Sequence, residues 1–147
     1  MVEPPKIYSR FYFDTFINKE LSRSRLTGRP VSLLLIEPKF LFNQQQGEHQ
    51  LEPLLTRICE TIKEEIRSSD LLCRYQRRHL AILLPETAPE AARELLDRIL
   101  TKLQTQFSKH TVIWLSAIIA PADEHYNNAQ SLLQQAQNQL RQTRPRL

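Results

Sequence analysis

The chain has 147 residues, 41% of them hydrophobic and 24% charged, and a formal net charge of +4. That length suits one domain with its own core and is short for two. The charge is too small to imply nucleic-acid binding, and the longest apolar runs, Val31 to Ile36 and Val112 to Ala120, fall far below membrane-spanning length, so no membrane insertion is expected. Met1-Val2-Glu3-Pro4-Pro5-Lys6 has no basic start followed by an apolar stretch, which argues against secretion and makes the cytoplasm the expected location. Cys59 and Cys73 lack disulfide or metal spacing and read as reduced, buried thiols. The two glycines, Gly28 and Gly47, are too few for a glycine-built phosphate loop.

In chain order, Phe13, Phe16, Ile17 and Leu21 share a helical face, and Gly28 with Pro30 stops that helix near Leu26. Val31 to Ile36 is a continuous apolar run between Pro30 and Pro38, as expected of a strand covered on both faces. Asn43 to Gly47 reads as a loop. Leu51, Leu54, Leu55, Ile58, Cys59, Ile62 and Ile66 then mark an amphipathic helix running to about Ser68. Leu71 to Tyr75 and His79 to Leu84 form a hairpin around Gln76-Arg77-Arg78. Thr87 and Glu90 have capping-box spacing before a helix that buries Leu95, Leu96, Ile99, Leu100 and Leu103. Val112 to Ala120 is another strand, Pro121 and Asp123 open a loop, and Ala129, Leu132, Leu133, Ala136 and Leu140 mark a last helix with a glutamine-rich outer face. The order predicts an α/β (α+β) fold, a mixed central sheet with a β-hairpin flanked by helices.

Several segments match a known family in register. Ser9-Arg10-Phe11-Tyr12-Phe13 is similar to an N-R-R-x-F helix start, and Arg23 to Ile36 resembles A-R-R-x-G-x-P-L-S-L-L-L-L. Arg67-Ser68-Ser69-Asp70 falls at an R-x-x-D position, Ala81 to Thr87 resembles F-x-x-L-L-P-x-T, and Leu132 to Ala136 resembles L-L-x-x-A. On these residues the chain resembles the GGDEF (diguanylate cyclase-like) domain of the nucleotide cyclase superfamily. The resemblance implies residues 1-7 as an N-terminal extension and 8-147 as the domain.

The signature of that family, G-G-D/E-E-F, is replaced here by Gln76-Arg77-Arg78-His79-Leu80. The resemblance implies two magnesium ions held by the third signature position and by an acidic residue ending the first strand; these positions are Arg78 and Glu37, and Lys39 adds a second cation. A guanidinium beside a metal carboxylate repels the cation. The expectation is therefore a degenerate domain that is no enzyme, has lost diguanylate cyclase activity, has no catalytic residue, metal or cofactor, and serves as a regulatory or protein-interaction module.

Two candidate sites remain. Arg67 and Asp70, with Arg98 as a third member, sit where the family's product-inhibition site would bind cyclic di-GMP: a guanidinium forks onto phosphate and a carboxylate accepts from guanine N–H groups. The plainer reading has Arg67 complementing a helix end and Asp70 capping a turn. Arg74, Arg77, Arg78 and His79 form a basic cluster at the hairpin, either a docking surface for an acidic partner or a solvated turn. A protein partner or a homodimer is expected, cyclic di-GMP is a candidate ligand, and nucleic acid is disfavoured because Tyr75 is the one aromatic nearby. His49, His79, His110 and His125 lack ligand spacing, while Trp114, Phe11, Phe13, Phe16 and Phe107 are expected in the core.

Overall fold

The computed structural model describes residues 7–40, 44–76, 78–107, 112–119 and 128–142. Its elements run β1 (Ile7–Tyr8), α1 (Arg10–Thr27), β2 (Val31–Phe40), α2 (Gln44–Glu65), β3 (Leu71–Gln76), β4 (His79–Pro85), α3 (Pro89–Gln106), β5 (Val112–Ile119) and α4 (Ala129–Gln142). The strands form one mixed sheet in the order β1-β3-β4-β2-β5, parallel between β1 and β3 and antiparallel elsewhere.

Alternation along the central strands divides the core in two. Leu34 and Ile36 of β2, Leu72 of β3 and Leu80, Ile82 and Leu84 of β4 face α2 and α3, against Leu55, Ile58, Ile62, Ile99 and Leu103. Leu33 and Leu35, Cys73 and Tyr75, and Ala81 and Leu83 point the other way onto Phe13, Ile17 and Leu21 of α1 and Leu132, Leu133 and Ala136 of α4. Each fully buried Leu or Ile contributes roughly 1.5–3 kcal/mol, and a one-residue slip of β2 would exchange the two faces wholesale. The register, with Leu34 opposite Ile82 and Ile36 opposite Leu80, is fixed by both layers at once.

Local chemistry sets the element ends. α1 stops at Gly28, whose φ of 72° a side chain would resist and whose N–H returns to the Ser24 carbonyl. α4 is capped twice: the Asn128 side chain accepts from the Ser131 N–H, and Asn18 of α1 reaches across to accept from the Ala129 N–H.

Five local expectations are revised. Ile7, assigned to an extension, pairs with Leu72 in the sheet. β2 continues through Pro38 to Phe40, because past Ile36 it keeps β5 as a neighbour while its pairing to β4 has ended; proline is tolerated where one flank is open. α2 starts at Gln44, inside the expected loop, as the high helix propensity of glutamine allows. α3 is capped by Ala88 with Pro89 behind it and no side-chain cap, since the Thr87 hydroxyl is engaged elsewhere. Phe11 is exposed, whereas Phe13 and Phe107 are buried and Phe16 packs at the core margin. Both cysteines are free and buried, as read. Pro121, Asp123, His110 and His125 lie outside the described residues, as do the side chains of His49 and Trp114.

Candidate functional site

The sheet has two ends that differ in chemistry. At one, β2 runs out past Ile36 while β3 turns into β4. The register that sets Leu80 opposite Ile36 brings His79 beside Glu37, their Nε2 and Oε2 atoms 3.4 Å apart. This is long for a hydrogen bond, and both side chains are about one-fifth exposed. The His79 Nδ1 atom is shielded and has no hydrogen-bond partner. Tyr75 presents its ring edge-on to His79 at 6.4 Å, and the Arg10 guanidinium of α1 lies 4.3 Å over the Tyr75 ring. Arg10 also stands 3.8 Å from Asp14, whose Oδ1 is shielded and unpartnered.

The basic cluster read from the hairpin is not one surface. Arg74 turns to α2 and grips the Glu52 carboxylate with both Nη atoms, at 2.9 and 3.0 Å, and this hydrogen-bonded pairing raises the guanidinium pKa. His79 turns to Glu37. Gln76, Arg78 and Lys39 are exposed, and Arg77 lies outside the described residues. Leu80 is fully buried, filling the core position of the signature.

At the opposite end, where β2 and β3 start and β4 stops, polar groups are tied together. Asp70 is buried and accepts from the Arg67 backbone N–H (2.9 Å), Nε (3.3 Å) and Nη2 (3.0 Å), while its own N–H donates to the Arg67 carbonyl. Arg67 Nη2 donates onward to the Pro85 carbonyl (3.0 Å) and the Thr87 hydroxyl (2.8 Å). The Thr87 N–H donates to the Pro30 carbonyl, and the buried Ser32 hydroxyl donates to the Thr87 carbonyl at 2.7 Å. One arginine thus clamps the turn before β3 to the turn after β4, and Thr87 links both to the start of β2. The structure joins Arg67 with Asp70 as read, but the Asp70 oxygens are spent inside the protein. Arg98 turns to Glu65 of α2 at 3.8 Å, the carboxylate that Lys102 also reaches.

Beside the clamp lies a group that sequence reading passed over. Glu86 adopts φ 51°, a left-handed conformation unusual for a side-chain-bearing residue. Its carboxylate accepts from Arg29 Nη1 at 2.8 Å and lies 3.4 Å from Arg23 Nη2, and the Arg29 hydrogen bond leads in holding its pKa below the usual range. The turn residue next to Pro85 was the available signal.

The donors at the hairpin end differ from those the resemblance implies. Of the two positions from which the resemblance would hold magnesium, Glu37 keeps a carboxylate and Arg78 does not. Among the described residues no group of three His, Cys, Asp or Glu side chains is placed to hold a metal ion. One carboxylate facing an imidazole does not fit a pair of hard, oxygen-seeking cations.

Among the described residues, a mixed five-stranded sheet clad by four helices, with a hairpin at one end and the R-x-x-D turn at the other, defines the nucleotide cyclase fold class. The family described as "Diguanylate cyclase, GGDEF domain" matches residues 5–146, and the chain belongs to it. The diguanylate cyclase DosC of Escherichia coli (strain K12) is 26% identical over 101 residues, covering 67% of this chain and 22% of the relative, so the chain spans about a fifth of that curated protein. Among solved structures, the GGDEF domain of YfiN (TpbB) from Pseudomonas aeruginosa superposes with a TM-score of 0.76 at 19% identity, covering 92% of this chain and 89% of that one. The GGDEF domain of DgcB from Caulobacter crescentus, solved in complex with c-di-GMP, gives 0.73 at 16% identity, with 97% and 89% covered. Diguanylate cyclase SiaD from Pseudomonas aeruginosa, solved with its activator SiaC, gives 0.70 at 19% identity, with 90% and 56% covered.

These relationships correct the expectation that the chain is no enzyme and has lost diguanylate cyclase activity. The family carries that activity in its description and DosC in its name, so membership puts the chain in the cyclase family and a loss of activity does not follow from its sequence. The expectation rested on Arg78 standing against Glu37. In the structure the cation nearest the argument is displaced: His79 faces the carboxylate and Arg78 is exposed at the turn.

Among the described residues no helix is long and apolar enough to cross a membrane.

Proposed function

We propose that this chain is a cyclic di-GMP signalling domain that acts as a regulatory module through protein contact at the hairpin end of its sheet. The observation that carries the reading is the exposed polar rim there: the cations Arg78 and Lys39 and the neutral Gln76 stand out while Glu37 faces His79. A rim of this kind favours an acidic partner surface. The capture of SiaD with a protein activator supports regulation by protein contact in a fold of this kind. The test is pull-down and site-specific cross-linking from Gln76, comparing the native chain with Arg78→Glu/Lys39→Glu. A partner retained by the native chain and lost from the charge-reversed one is expected; equal recovery by both overturns the reading. GTP turnover with magnesium and with manganese belongs in the same experiment, since family membership makes it the reference activity.

A second reading, cyclic di-GMP reception at the Arg67–Asp70 turn, draws on the part-exposed Arg67 side chain, which the buried Asp70 holds in a set orientation. Preorganisation of that kind lowers the entropy cost of binding phosphate. Calorimetric titration with cyclic di-GMP should then show heat that Arg67→Ala abolishes; no heat at high ligand concentration removes this reading.

A further inference from the structure

At the hairpin end a nitrogen and an oxygen donor face each other at a spacing set by the sheet. The His79 Nε2 and Glu37 Oε2 atoms stand 3.4 Å apart, beyond an ordinary hydrogen bond. Leu80 pairs with Ile36 across the strands, both fully buried, and His79 and Glu37 are the next residue outward on each strand, so the core beneath fixes their approach. The His79 Nδ1 atom has no hydrogen-bond partner. The ring proton is free to sit there, which leaves the Nε2 lone pair facing a carboxylate oxygen with no proton between them. Both side chains are only about one-fifth exposed, and in such a part-dry site two facing electron-rich atoms repel unless a cation lies between them.

The length of the gap selects the cation. Zinc holds nitrogen and oxygen donors at about 2.0–2.2 Å in a tetrahedron, which sets neighbouring ligands about 3.4 Å apart. Magnesium holds oxygens at about 2.0–2.1 Å in an octahedron, which sets them about 2.9 Å apart. The spacing here is the tetrahedral one, and an imidazole beside a carboxylate suits zinc better than magnesium.

We propose that Glu37 and His79 form a binding site for a single borderline divalent cation, zinc being the type, in place of the hard magnesium pair that the family resemblance implies. The protein supplies two of the four corners, because among the described residues no third His, Cys, Asp or Glu joins them. Water takes the other two. Arg78 and Lys39 are exposed, so solvent and salt screen their repulsion. The ion bridges β2 to β4 and draws together the loosely closed end of the sheet. The site needs no partner at the rim, so it stands or falls apart from the protein contact proposed above.

The test is calorimetric titration of the whole chain, first stripped with a chelator, with zinc chloride and in parallel with cobalt(II) chloride. One equivalent should bind, cobalt should show the intense visible absorption of tetrahedral coordination, and a large excess of magnesium should leave zinc in place. His79→Ala and Glu37→Gln should each weaken zinc binding at least ~10-fold, about 1.4 kcal/mol. His79→Asp, which exchanges nitrogen for oxygen, should lose the preference for zinc over magnesium. Circular dichroism confirms that each variant is folded, and in the native chain zinc should shift the imidazole resonances of His79, a readout that needs no variant. No binding by the native chain, the weak absorption of octahedral cobalt, or an equivalent indifferent to both His79→Ala and Glu37→Gln overturns the proposal.

Discussion

The two ends of the sheet are built to different standards of closure. At the clamp end Asp70 accepts three hydrogen bonds from Arg67, and Arg67 passes the constraint to Pro85 and Thr87. At the hairpin end the facing groups, His79 and Glu37, stand 3.4 Å apart, and the remaining imidazole nitrogen is unpartnered. A satisfied polar network rigidifies the elements it joins, whereas a half-satisfied one leaves them free to exchange partners. The family signature is substituted at the loosely closed end, and the R-x-x-D turn is retained at the tightly closed one. The contrast separates residues that hold the fold from residues available for contact.

Removing the clamp is the most damaging way to break this contrast. Asp70→Ala strips the partner from a backbone N–H and a guanidinium at a buried position, and urea unfolding should show a loss of about 2–3 kcal/mol. Arg67→Ala should cost less, about 1–2 kcal/mol, because its side chain is part-exposed but leaves the Asp70 carboxylate short of donors.

Cys73 sharpens the same point on the other axis of the core. Burial pushes its thiol up to about 12 from an ordinary 9.0, so the folded protein holds a proton that the unfolded chain releases. Stability contributed by the neutral thiol is complete below pH 9 and falls as pH rises from about 9 towards about 12. A Cys73→Ala variant should be less stable at neutral pH but show a shallower alkaline decline in thermal unfolding. Native-state alkylation of Cys73 should also be slow, for want of thiolate.

At the hairpin end, His79→Ala should cost under about 1 kcal/mol by the same urea measurement, since a long, part-exposed pair contributes little. The smallest effect belongs to Glu86. Its carboxylate is held below the ordinary range chiefly by the Arg29 hydrogen bond, so its contribution is present above the unfolded pKa and lost as pH falls through the folded one. Glu86→Gln should remove that small contribution at neutral pH and leave stability below the folded pKa unchanged, so the acid limb of the profile flattens slightly.

Much of this layout was legible from local pattern. The run Val31 to Ile36, the amphipathic repeat from Leu54 to Ile62 and the hairpin flanks each carry their own periodicity, and the R-x-x-D spacing brought Arg67 and Asp70 together on paper as in space. What escaped was set by neighbours in space rather than in sequence. Pro38 sits inside a strand because β5 pairs with it, a fact held in residues more than seventy positions away. Thr87 looked like a helix cap until Arg67 claimed its hydroxyl. The signature was read position by position, which set Arg78 against Glu37; the cross-strand register sets His79 there instead. Counting from Leu80 opposite Ile36 gives that contact, but the pairing is known only once the sheet is built.

Native-state hydrogen exchange on the unaltered chain compares the two ends in a single measurement. The amides of Arg67, Asp70 and Thr87, which donate to Asp70 Oδ2, the Arg67 carbonyl and the Pro30 carbonyl, should exchange at close to the global unfolding rate, while the Arg78 turn opens far more readily. Equal protection at both ends, or faster exchange at the Arg67 turn than at the hairpin, would contradict the division between a holding end and a contact end.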